Sequence, residues 1–171
     1  MIEERNEHKQ GKKPDMITIM RYIMVLVFIV YIGILLGMKA NSSTPFKTVA
    51  SAVSKTAEKK SPKLQKGTAV ELKRLYDLNE GDYKGVQFFY ASGTMDVEEV
   101  LLIRTKADGQ MDAVQSAVEK RLSVQKNNFD GYGAEQTKLL NNAVIETKGD
   151  YLLLVISKDA DTYLRVFKES L

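Results

Sequence analysis

Arg121, Gln125, Phe129 and Tyr132 are the residues whose types and spacing bring chemistry to mind first. They recur every three or four positions, so a helix running into a turn gathers them on one side. At 100° per residue, Gln125 falls inside the apolar stripe formed by Met111, Val114, Ala117, Val118, Leu122 and Phe129, and Arg121 lies on its edge. A buried amide or guanidinium without partners costs on the order of 1–3 kcal/mol or more. Both residues therefore need partners. Glu98 or Glu99 can supply them, as can the backbone of the Gly131-Tyr132-Gly133 turn. Such a group does one of two things. It fixes a helix against a sheet, or it lines a small polar pocket for a ligand or a partner peptide.

Other reactive groupings are thin. Glu98 and Glu99 are adjacent, so on a strand they point to opposite faces and form no carboxylate pair. A second acid, Asp96, Asp130 or Asp150, would have to come within about 5–10 Å to make a glycosidase-type site. Gly131-Tyr132-Gly133 precedes a helix, but without a P-loop lysine or a full glycine fingerprint it reads as a turn. The chain has no cysteine, which removes disulfides, thiolate metal sites and cysteine nucleophiles. Its single histidine, His8, lies in an N-terminal tail. Histidine-based triads and the usual zinc ligand sets are thereby excluded from the rest of the chain. No catalytic residue, cofactor or metal follows from these residues.

The elements that must position the group can be read in order. Pro45 opens a helix with Thr44 as its N-cap, and Phe46, Val49, Ala50, Val53 and Ala57 form a weak stripe facing lysines. A short helix fits residues 68–76. Residues 86–90 (VQFFY) and 97–106 (VEEVLLIRTK) read as two strands of a hairpin. The middle of the second strand is apolar on both faces, as in a central strand covered on both sides. Residues 110–128 form the longest such helix, and 134–141 a shorter one. Residues 143–148 and 151–157 (YLLLVIS) make a second hairpin around Gly149-Asp150. A last helix follows with Asp159 as its cap. This order predicts an α+β domain of two layers, with a four-stranded, mostly antiparallel sheet and helices on one face.

Residues 22–38 (YIMVLVFIVYIGILLGM) carry no charge and read as a single transmembrane helix. The expected organisation is a cytoplasmic tail over 1–21, the span over 22–38, a lysine-rich tether with an amphipathic helix over 39–66, and a soluble domain over 67–171. The net charge of +3 hides a partition: +1 over 1–38, +6 over 39–66 and −4 over 67–171. The basic balance belongs to the tether, so a nucleic-acid partner is not indicated. Lysines beside a membrane favour anionic headgroups instead. Gly33 and Gly37 form a GxxxG spacing, a candidate helix-packing face. Basic residues near the start of the span favour the tail inside and the domain outside.

The chain from 49 to 171 resembles a bacterial family known as a domain of unknown function, number 4358 in that series. The matching stretches are LKRLYDLNEGDYKGVQFFY (72–90), MDVEEVLLIRTK (95–106), AVEKRLSVQKNNFDGYGAEQ (117–136) and NAVIETKGDYLLLVIS (142–157). The resemblance implies a short membrane-anchored protein or lipoprotein of the envelope of spore-forming Gram-positive bacteria, with no assigned activity. The lipoprotein cysteine of many members is absent, and an apolar helix stands in its place.

Three readings of function follow. The first is a non-catalytic binding or scaffolding module, held outside the cell by one membrane helix, with other envelope proteins or itself as partners. The second is a carboxylate-dependent envelope hydrolase. The third is a small-ligand sensor that uses Glu98, Glu99, Arg121, Gln125 and Tyr132 as a polar pocket.

Overall fold

The structure, a computed structural model, describes residues 16–37, 42–107 and 109–171, with side chains of the first segment described at Met16 and residues 19–32. His8 lies outside the described residues. The chain divides into two units at the boundary between Met38 and Lys39.

The first unit contributes helix α1 (Met16–Gly37). Its described side chains are exposed and, apart from Arg21, none is charged. The span expected over 22–38 is not met among the described residues. No helix among the described residues is long and apolar enough to cross a membrane.

The second unit is α+β. Its elements run α2 (Phe46–Lys60), β1 (Gln65–Lys66), α3 (Ala69–Tyr76), β2 (Gly85–Tyr90), β3 (Glu99–Arg104), α4 (Gln110–Phe129), α5 (Ala134–Asn141), β4 (Val144–Lys148), β5 (Tyr151–Ile156) and α6 (Ala160–Ser170). The sheet has five strands in the order β1-β2-β3-β5-β4, and every ladder is antiparallel. This corrects the expected four. The extra strand is two polar residues, Gln65 paired with Tyr90 and Lys66 with Phe89. It has no apolar alternation, so only its backbone pairing reveals it.

The expected single helical layer is also corrected. Along β3, Leu101 and Ile103 join one core with Leu152, Leu154 and Ile156 of β5, under Leu72, Val114, Val118 and Leu140 from α3, α4 and α5. The alternate residues, Val100 and Leu102 with Leu153 and Val155, join a second core under Val49 and Val53 of α2 and Tyr163 and Phe167 of α6. The four aliphatic side chains of β3 and the five of β5 are completely buried. Each such burial contributes roughly 1.5–3 kcal/mol, so the two-sided apolar pattern of β3 and β5 demands cover on both faces. The second cover is α2 and α6.

Two expected caps move as well. Helix α2 begins after Pro45 without a side-chain cap, and the Thr44 hydroxyl donates to the Leu171 carbonyl at 2.9 Å. Asp159 precedes α6 without capping it; its carboxylate accepts from Lys60 Nζ at 3.1 Å, and Ser157 Oγ accepts from the Asp159 amide at 3.2 Å. Helix α3 does carry a capping box: Val70 N–H donates to Thr68 Oγ1, and the Thr68 N–H donates to Glu71.

Candidate functional site

Glu99 opens β3 on the face beneath α3 and α4, and its side chain is almost wholly buried. A carboxylate there persists only with charge and hydrogen-bond partners. Arg121 supplies the charge: its Nη2 donates to Glu99 Oε2 at 3.0 Å. Gln125, one turn further along α4, donates Nε2 to the same oxygen at 3.4 Å. Tyr76, the last residue of α3, donates its hydroxyl to Oε1. Burial, then the Glu99 charge, push the Tyr76 phenol well above its ordinary value, so it stays protonated and donating. One carboxylate thus ties α3 and α4 to the start of a central strand.

Of the sequence-predicted group, Glu99, Arg121 and Gln125 converge. Tyr132 does not join them. It is exposed and packs its ring against Phe129, with centroids 5.7 Å apart. Glu98 faces the other side of the sheet and accepts from Ser157 Oγ at 3.2 Å. Tyr76 was legible only as an inward residue, because nothing local shows where a tyrosine hydroxyl will end. Two polar atoms of the network, Gln125 Oε1 and Arg121 Nε, are buried without a protein partner. Beside it, a groove of about 270 Å³ runs between α3 and α4, lined by Arg74, Leu75, Tyr76, Lys120, Arg121 and Val124 among others.

A second buried acid lies at the opposite end of β3. Asp150 Oδ2 accepts from Arg104 Nε at 2.8 Å and from Lys84 Nζ at 3.1 Å. Burial pushes its carboxyl up, but hydrogen bonds and charge from Arg104 and Lys84 outweigh this and leave it below the ordinary range. Arg104 also donates to the carbonyls of Ser42 and Thr44, at 2.8 and 2.9 Å, and lies over the Tyr151 ring, whose hydroxyl donates to Thr44 as well. The segment leading into α2 is thereby clamped to the sheet. Sequence reasoning missed this clamp. Its signal is the register between β3 and β5, strands of two different hairpins, which sets Arg104 against Tyr151.

The two buried acids cannot work as a pair. Glu99 is level with Ile156 and Asp150 sits beyond Tyr151, so the ladder holds them apart by roughly 20 Å at 3.4 Å per residue. That exceeds the spacing of glycosidase carboxylates. Among the described residues no group of three or more histidine, cysteine or acidic side chains is arranged to hold a metal ion. What the arrangement does chemically is fix charge in an apolar layer beside a groove lined by Arg74, Lys120 and Arg121 and by the acid Asp77.

Neither a curated protein nor a solved structure matches the chain. The family described as Domain of unknown function (DUF4358) matches residues 55–157. That range holds Tyr76, Glu99, Arg121 and Gln125 together with Arg104 and Asp150, and it stops before α6. With the match covering well over half of its length, the chain belongs to the family of Domain of unknown function (DUF4358).

Proposed function

We propose that this chain is a single-pass, membrane-anchored protein whose α+β unit is a non-catalytic binding or scaffolding module on the outer side of the membrane. The observation that carries this reading is α1. Its described side chains are apolar all round but for Arg21, and they are exposed on every side of the helix. A helix of that kind takes a bilayer as its cover. The uncharged run continues in the sequence through Met38, beyond the side chains described, which supplies the length a span needs. The committed state of Glu99 and Asp150 supports binding over catalysis, since each is neutralised by a cation that also holds structure. Partners of such a module would be other envelope proteins or a second copy.

The absence of cysteine makes the test direct. Ser116, exposed on α4, is replaced by cysteine, and intact cells are treated with a membrane-impermeant maleimide. Labelling without lysis is expected. Labelling only after lysis overturns the orientation, and recovery of the chain in the soluble fraction after alkaline extraction overturns the anchor.

The groove between α3 and α4 favours a second reading, a sensor of small anionic ligands. Arg74, Lys120 and Arg121 line it against a single acid, Asp77, and Arg74 and Lys120 form no salt bridge among the described residues. A thermal-shift screen of small carboxylates and phosphates tests this, since a ligand at 100 times its dissociation constant adds about 2.7 kcal/mol. No shift at millimolar concentration sinks it.

A further inference from the structure

The outward face of α2 has no part in either core. Val49, Ala50, Val53 and Ala57 turn inward, while Lys47, Ser51, Lys55 and Lys59, spaced four apart, form an exposed stripe on the opposite side. Beyond the helix, Lys63 and Lys66 are exposed as well. Lys60 is different, because it is paired with Asp159. Among the described residues, none of the other five lysines takes part in a salt bridge. The only acid within 42–66 is Glu58. The rest of the unit, 67–171, carries −4. Charge is therefore segregated along the chain of this unit, and its basic segment is the one that follows α1, with only residues 38–41 between.

We infer that the lysine stripe of α2, extended by Lys63 and Lys66, is a docking surface for the anionic headgroups of the bilayer that carries α1. This rests on the anchored reading above. A lysine near an anionic surface gains roughly a factor of five in local occupancy, and three of them, Lys47, Lys55 and Lys59, share one face of α2. The segment 67–171, with its net charge of −4, gains no such attraction, so the pull acts through α2. The attraction falls off over the Debye length, about 8 Å at physiological salt and shorter at high salt.

The test uses the full chain in nanodiscs. A nitroxide is placed at Ser51→Cys, in the stripe, or at Ser116→Cys, on the opposite helical layer. Accessibility to a water-soluble nickel chelate is measured in discs of zwitterionic phosphatidylcholine and in discs with about one-third phosphatidylglycerol. The expected result is at least a threefold loss of nickel accessibility at Ser51 in the anionic discs. It should be restored by high salt or by Lys47→Gln, Lys55→Gln and Lys59→Gln combined, with no change at Ser116. Equal accessibility at Ser51 in both lipids overturns the inference, and so does equal protection in both. Protection that disappears when each disc holds one copy points to a second chain as the occupant and also overturns it. A chain that fails to enter the discs overturns the anchor itself, whereas entry with Ser51 freely accessible overturns only the lipid-facing stripe.

Discussion

Replacing Arg121 by leucine probes the buried network where it is most exposed to failure. Glu99 has a side-chain exposure of 2%, against 18% for Arg121. Arg121→Leu strands the carboxylate with the Tyr76 hydroxyl and one long bond from Gln125. An uncompensated buried charge costs about 3–5 kcal/mol. Glu99→Leu is milder. The guanidinium can turn toward the groove and water, and the loss is the Tyr76 and Gln125 hydrogen bonds, about 1–3 kcal/mol. The double variant carries no stranded charge, so its cost should stay near that of Glu99→Leu. The coupling energy is then about 3 kcal/mol, well beyond the roughly 0.5 kcal/mol within which independent sites add. Urea unfolding of the Lys39–Leu171 unit at pH 7, followed by far-ultraviolet circular dichroism, measures all four corners. The Arg121→Leu melting temperature should fall by about 10 °C. Single costs that simply add in the double variant, or a loss below about 1 kcal/mol for Arg121→Leu, would refute the reasoning.

Three further outcomes are expected. Asp150 titrates below the ordinary carboxylate range in the folded chain. Its contribution is therefore present above an unfolded value of about 4 and is lost as pH falls through the depressed one. Asp150→Asn should flatten the urea midpoint between pH 4 and 2 relative to the parent, and parallel curves would contradict this. Gly67→Ala places a methyl group against the buried Phe88 ring and should destabilise by about 1–3 kcal/mol; an unchanged midpoint would mean that the strand shifts freely. Gln125→Leu removes an unpartnered carbonyl and only a long hydrogen bond, so stability should change by less than about 1 kcal/mol. A loss above 2 kcal/mol would assign that amide a larger role than its geometry indicates.

Much of the network was readable because helical spacing and burial make demands that few residues can meet. Gln125 inside an apolar stripe required a partner, and Glu99 was one of two acids within reach. The choice between Glu98 and Glu99 was not readable, since it depends on which face of β3 turns toward α4. The α+β class and both hairpins followed from the apolar runs and the turn residues between them. The second helical layer was written in the same runs: residues 100–103 and 152–156 are apolar at every position, which a one-sided sheet cannot bury. The weak stripe of α2, with alanines at two of its four buried positions, left open whether it docks on the sheet or lies on a membrane surface. Thr44 and Asp159 look like caps locally, yet both make bonds to residues about a hundred or more positions away, which local reading cannot weigh.

The two helices that cover the second face of the sheet come from opposite sides of it in the chain. Helix α2 precedes every strand, and α6 follows every one. A ribosome releases α2 long before its partner layer exists, and α6 only after both hairpins are out. Until then Val100, Leu102, Leu153 and Val155 form an apolar surface with half a lid. The interval between β5 and α6 is thus an aggregation-prone moment in the life of the chain. A chain shortened by the eleven residues of α6 would stay in that moment permanently, with all five strands complete and one face covered by α2 alone.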